Sequence, residues 1–240
     1  MILPEETFSS DFAAEETRIA QAYLQRDATI PTGRYSRLNR GQLLIMQAVE
    51  RSLVSLLKRQ NISCLQDQRI LDIGCGVGDW LRTFIGWGAR PDYLCGIDLR
   101  EDVVSEARKL LPQSVLLRAG NATRLEFESA SFDLVCQFTV FSSVLDPQMR
   151  RQVASEMLRL LKPRGHIVWF DLCVNNPWNP DVRSIRKAEI RALFPGCRLR
   201  LQRLTLIAPV AHVAPLIIPL TLPIKLLCTH YLVLIEKIQT

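Results

Sequence analysis

The run Arg69-Ile-Leu-Asp-Ile-Gly-Cys-Gly-Val-Gly-Asp79 constrains this chain more than any other stretch. Ile70, Leu71 and Ile73 form a short apolar, β-leaning run, the mark of a buried strand. Gly74, Gly76 and Gly78 follow at alternate positions. Glycine takes positive φ without a Cβ penalty and lets a ligand approach the backbone closely. The spacing predicts a strand, a glycine turn, and a helix that opens at Asp79. Asp72 falls near the carboxyl end of the strand, where open α/β sheets take their ligands. A G-x-G-x-x-G pattern would need its third glycine at Asp79, and no Gly-Lys-Ser/Thr follows. Neither the dinucleotide fingerprint nor the P-loop is met.

A second acid follows in the expected place. Tyr93 to Leu99 reads as another apolar strand, with Asp98 near its end. An acid at that tip can accept the hydroxyls of a bound ribose; it can also cap the helix predicted from Glu101. Further elements alternate along the chain. Helices are expected over 79–87, stopped by Gly88, and over 101–111, ended by Pro112. Strands are expected over 114–118, 131–139 and 166–172, with an amphipathic helix over 149–161 and a turn at 162–165 between the last two strands. A loop at 175–180 leads to a helix over 184–194. Strands at 200–208 and 231–237 close the list. Ahead of the core, 11–26 and 41–59 carry helical periodicity on either side of a polar loop at 29–39.

Composition excludes several classes. At 240 residues and 48% apolar, the chain suits one α/β domain with a small addition. The net charge of +6 is mild and spread along the sequence, which fits a solvated basic surface better than a nucleic-acid footprint. Seven cysteines are scattered, with no Cys-x-x-Cys and no Cys/His set at zinc spacing. They read as small buried hydrophobes in a reducing compartment, and no metal is expected. The first residues lack the basic and apolar regions of a signal peptide, so a cytoplasmic location is expected. Residues 209–228 are strongly apolar but carry four prolines and a lysine. Such a stretch is too interrupted to span a bilayer. It is expected to cover the domain, with a lid or a membrane-touching flap as alternatives.

Asp-x-Gly-x-Gly-x-Gly after a strand, the acid at Asp98, Gly120-Asn-Ala-Thr123, Phe132-Asp133 before a strand, and Leu161-Lys-Pro-x-Gly165 together resemble the class I S-adenosylmethionine (SAM)-dependent methyltransferases. That resemblance covers about 65–172, and the wider pattern, including Arg34-Tyr-Ser36, Gln137-Phe-Thr-Val-Phe141 and Asn175-Asn-Pro-x-Asn-Pro180, looks like the bacterial small-molecule type, methyltransferase type 11-like. The resemblance implies an α/β, Rossmann-like seven-stranded sheet of order 3-2-1-4-5-7-6. Its last strand is antiparallel and helices cover both faces. Residues 1–60 would form an N-terminal helical extension over the active site, and 61–240 the methyltransferase core.

The resemblance also implies a site. Asp72, Gly74, Cys75 and Gly76 would hold the methionine end of SAM. Asp98 and Leu99 would take the ribose and adenine, and Asn121 and Ala122 would flank the adenine. An acid often stands where Asn121 does in the family; its amide oxygen still accepts a hydrogen bond. Gln137 and Phe138 would close the site from below, and Tyr35 would reach the cofactor carboxylate. Arg34, Thr139, Phe141, Asn175, Asn176, Trp178 and His212 would face the acceptor. Asp171, at the rim, is the expected base for a hydroxyl acceptor, with His212 and His230 behind it. His166, at the amino end of its strand, reads as structural. The implied reaction transfers a methyl group to an oxygen or nitrogen nucleophile of a small molecule, a carboxylate included, and leaves S-adenosylhomocysteine. Such an acceptor would be a secondary metabolite or a glycan or lipid precursor. Two other readings remain: a non-catalytic SAM-binding scaffold, and an RNA methyltransferase. The expected assembly is a monomer or homodimer, with no nucleic acid and no transmembrane segment.

Overall fold

The computed structural model describes residues 12–31, 33–34, 36–177, 179–204 and 229–238. Five parallel strands form the body of one sheet: β1 (Ile70–Ile73), β2 (Leu94–Asp98), β3 (Leu116–Ala119), β4 (Phe132–Phe138) and β5 (Leu161–Leu172). Two more complete it, β6 (Cys197–Leu204) and β7 (His230–Lys237). The order is β3-β2-β1-β4-β5-β7-β6, with β7 antiparallel to both neighbours. This is the expected order. The central strands are apolar nearly end to end because helices cover both faces of a parallel sheet.

Two helical layers make that cover. On one face lie α2 (Arg40–Lys58), α3 (Asp79–Gly86) and α4 (Glu101–Leu110). Val49, Leu53, Phe84 and Val104 pack there against Ile70, Leu134, Val168 and Leu234. The other face carries α1 (Ala13–Thr29), α5 (Pro147–Leu160) and α6 (Lys187–Leu193). Ile19, Met157 and Ile190 pack there with Leu71, Val135 and Trp169. The two N-terminal helices therefore lie on opposite faces. Among the described residues, no helix is long and apolar enough to cross a membrane.

Several boundaries differ from the sequence expectation, each for a local reason. α5 starts at Pro147 because Asp146 accepts from the backbone N–H of Gln148 and Met149 at 2.7 and 2.8 Å, with proline at the first helical position. α6 starts at Lys187, not Ser184. The backbone N–H groups of Arg183 and Ile185 are bonded to the carbonyls of Ser142 and Leu172, which holds this segment along the end of β5. The turn at 162–165 lies inside β5: the partner advances from Leu161 to His166 while β4 advances from Phe132 to Leu134. Arg164 absorbs the bulge at φ 66°. β6 begins at Cys197, where pairing with Lys237 extends it backwards. β3 is displaced towards its carboxyl end and takes in Ala119. The expected strand beyond Leu204 and the apolar stretch 209–228 lie outside the described residues.

Candidate active site

The carboxyl edge of the sheet gathers the acids and glycines. Gly74, Gly76 and Gly78 have φ of 70°, 52° and 81°. The backbone N–H groups of Gly74 and Cys75 both donate to the Ile97 carbonyl, at 2.7 and 3.0 Å. A Cβ at Gly74 would collide with Val140, and one at Gly78 with Leu111. The turn is thus wedged between β2, the loop after β4, and the end of α4. Only glycine satisfies both the backbone angle and the space.

Asp98 stitches this turn to the next. Its Oδ2 accepts from the Gly76 N–H at 2.8 Å, and its Oδ1 from the Arg100 N–H at 3.0 Å. Burial raises its carboxyl above the ordinary range, against the pull of these two donors. Each oxygen keeps a lone pair for a ligand. Asp72 is more extreme. It is 1% exposed, and its Oδ1 has no hydrogen-bond partner. Burial, then the charges of Asp98 and Asp79, push its carboxyl well up. A buried carboxyl with a bare oxygen is costly unless a donor or cation meets it. At a ligand-binding edge, the amino group of a bound amino acid is such a partner.

The adenine-side expectation meets a different arrangement. Asn121 Oδ1 accepts from the Thr123 N–H at 2.8 Å, an Asx turn. Its Nδ2 donates to Glu16 of α1. Leu99 and Ala122 are half-buried and pack towards the α1 and α5 face. Gln137 is fully buried and spent on structure: Nε2 donates to the Phe170 carbonyl at 3.3 Å, and Oε1 accepts from the Val140 N–H at 2.9 Å. Thr139 follows at φ 61°, its N–H on the same Phe170 carbonyl.

Two expected acceptor-side groups lie elsewhere. Phe141 is 1% exposed and packs on the Trp169 ring at 4.3 Å, so it belongs to the core and not to an acceptor surface. Asp171 is fully buried rather than at the rim. Its Oδ2 accepts from the Ser142 N–H at 3.1 Å and its Oδ1 from the Leu172 N–H at 2.8 Å. Burial pushes its pKa up to about 6. It positions the loop after β4, and a base must be sought elsewhere. Asn175 and Asn176 are exposed, and Asn175 Oδ1 accepts from the Ser184 N–H. Arg34 is exposed in the loop after α1. Tyr35, Trp178 and His212 lie outside the described residues. Among the described residues no cluster of three or more metal-ligating side chains occurs.

Sequence reasoning missed two features of this edge. The first is how α1 is fastened. Glu15 accepts from the N–H groups of Leu145 and Asp146. Arg18 donates to the Ser143 carbonyl, and Tyr23 bonds the Ser143 hydroxyl at 2.9 Å. Glu16 holds Asn121, and Asp27 pairs with Arg100 at 2.6 Å. One helix thus grips the loops after β2, β3 and β4. The second is a row of rings on the face that carries Asp72 and Asp98. Trp80 stacks on Phe138 with centroids 3.9 Å apart and planes at 9°. Phe138 meets Phe170 at 6.4 Å and 45°. Phe170 stacks on His230 at 4.9 Å and 5°. Four elements contribute one ring each, so no local periodicity reveals the row.

Residues 70–165 match the family described as "Methyltransferase domain". Over that stretch, and in the order of its sheet, the chain is similar to the SAM-dependent methyltransferases. The particular relatives lie at some distance. A demethylmenaquinone methyltransferase of Lactiplantibacillus plantarum is 27% identical over 129 residues, covering 52% of each chain. The chain spans about half the length of the curated relatives it matches. An S-adenosylmethionine dependent methyltransferase of Mesorhizobium loti superposes with a TM-score of 0.57 at 17% identity, covering 76% of this chain and 96% of its own. A SAM dependent methyltransferase of Archaeoglobus fulgidus gives 0.56 at 17%, covering 78% and 94%. At such identities the superpositions speak for the fold alone.

Proposed function

We propose that this chain binds SAM at the carboxyl ends of β1 and β2 and transfers its methyl group to a small-molecule acceptor held beyond β4, β5 and β7. The carrying observation is Asp72, whose buried Oδ1 has no partner beneath the glycine turn. The residues present fit the cofactor. Asp72 meets the amino group of the methionine end, and the glycine turn allows close approach of that end to the backbone. Asp98 accepts from the ribose hydroxyls, and Leu99 and Ala122 flank the adenine. SAM supplies an electrophilic methyl group when bound. The protein then positions the acceptor and excludes water. The helix α1, fastened across three loops, is the cover on the cofactor side.

The acceptor is an oxygen or nitrogen nucleophile of a small molecule. Demethylmenaquinone, named in several relatives, offers a ring carbon instead, and enters the first panel of compounds as the alternative to hydroxyl and carboxylate acceptors. Calorimetric titration of the metal-free protein with SAM tests the reading, with NAD as the control. Micromolar SAM binding and no NAD response are expected. Asp98→Ala should weaken SAM binding by at least ~1.5 kcal/mol, the worth of a charged hydrogen bond. Equal affinities in the two proteins would overturn the site assignment.

A further inference from the structure

On the face that carries Asp72 and Asp98, the ends of β4, β5 and β7 present rings where the ends of β1 and β2 present acids. The register explains the alignment. Phe138 pairs with Phe170 across β4 and β5, and Leu172 pairs with His230 across β5 and β7. Trp80, in the first turn of α3, completes the row beside the glycine turn. We propose that Trp80, Phe138, Phe170 and His230 form the acceptor wall, and that it selects a planar ring bearing a hydroxyl group, with the O–H bonded to the His230 imidazole. The inference rests on the methyl-transfer reading and names the substrate class of the same site.

Three observations carry it. The row consists of two parallel stacks, Trp80 on Phe138 and Phe170 on His230, joined at a tilt. Flat, rigid faces of this kind gain most from another flat ring, which makes offset or edge contacts without losing rotamer freedom. Next, Trp80 and Phe170 are buried while Phe138 and His230 keep part of their surface. The row is backed by the core and open at two of its members. Finally, the last member is polar. His230 Nδ1 lies 2.8 Å from the Thr229 hydroxyl, which sets the ring orientation and leaves Nε2 for a ligand. Burial lowers its pKa to about 4. At neutral pH the ring is therefore uncharged, and in the tautomer whose Nδ1–H donates to the Thr229 hydroxyl its Nε2 accepts one hydrogen bond. Packing alone would be served by leucine or phenylalanine here, without the cost of desolvating an imidazole.

The test uses the full-length protein saturated with S-adenosylhomocysteine, so that no turnover occurs. Three probes are titrated by calorimetry and by tryptophan fluorescence. They are 1-naphthol, 1-methoxynaphthalene, which lacks the O–H, and decahydro-1-naphthol, which lacks the flat ring. The wild type should bind 1-naphthol at least about tenfold more tightly than either of the others, the value of one hydrogen bond or one ring contact. His230→Phe keeps the stack and removes the acceptor nitrogen. It should bring 1-naphthol down to the affinity of 1-methoxynaphthalene and leave the latter unchanged. His230→Leu should weaken both. Decahydro-1-naphthol binding as tightly as 1-naphthol, or 1-naphthol failing to bind, overturns the wall. So does His230→Phe leaving 1-naphthol unaffected. Failure of S-adenosylhomocysteine itself to bind the wild type would instead sink the methyl-transfer reading, and is scored separately.

Discussion

Asp171→Asn separates a structural carboxyl from a catalytic one, and its effect can be worked out from its surroundings. Asp171 is fully buried, and burial holds its pKa at about 6 against the ordinary 3.8. The folded state therefore grips the proton more tightly than the unfolded chain does. Stability from this group is fully present below about 3.8 and is lost as pH rises through about 6. The gap is worth about 3 kcal/mol in all, of which about 2 falls between about pH 4.5 and 7.5. Asparagine cannot ionise, so the variant escapes this loss. It keeps one carbonyl oxygen for the N–H of Ser142 or Leu172 and turns an amino group towards the other. That mismatch costs about the same at every pH. Urea unfolding of both proteins at the two pH values isolates the difference. The variant should gain about 2 kcal/mol on the wild type as pH rises. A difference in stability that does not change with pH would refute the claim that Asp171 titrates inside the fold.

Other expectations follow from the same loop. Arg150 is 1% exposed, donates to the carbonyls of Phe141 and Val144, and pairs with Glu189 at 2.8 Å. Arg150→Met strips partners from all three and should cost about 3–5 kcal/mol by urea unfolding; a loss under about 1 kcal/mol would mean that the loop closes without it. Burial raises the Glu15 carboxyl, but Arg18 and the N–H groups of Leu145 and Asp146 outweigh it and leave the pKa below its ordinary value. Its stabilising contribution is thus present above the ordinary 4.5 and lost as pH falls through the lower folded value. At neutral pH, Glu15→Gln should speed hydrogen exchange in α1 by about tenfold, the effect of about 1.4 kcal/mol, with the core strands unchanged. Unaltered exchange in α1 would show that the helix is held by packing alone.

Much of the fold is legible without coordinates because its signals are local. An apolar run, three glycines at alternate positions, and Asp72 just ahead of them suffice for a strand, a turn and a helix. The alternation of such units gives an α/β sheet with right-handed crossovers; its order was implied by the family resemblance and is the order observed. The boundaries that moved, at α5, α6 and β5, were set by particular hydrogen bonds: the Asp146 cap, the Arg183 and Ile185 N–H groups, and a bulge at Arg164.

Side-chain roles at the strand ends are less legible, and Asp171 shows why. Strand periodicity says which face a residue points to, but not whether a loop folds over it. The loop after β4 does fold over Asp171 and converts an expected rim base into a buried brace. Phe141 is drawn into the core by Trp169 in the same way. The grip of α1 joins residues from 73 positions apart, Asp27 and Arg100, to 131 apart, Glu15 and Asp146, and the ring row spans α3, β4, β5 and β7. The sequence by itself determined the class of fold and the placing of two acids at the carboxyl ends of β1 and β2, because these depend on patterns within a few residues. Tertiary structure alone decided which side chains remain free to meet an acceptor, because burial and hydrogen-bond partners depend on what the rest of the chain packs against them.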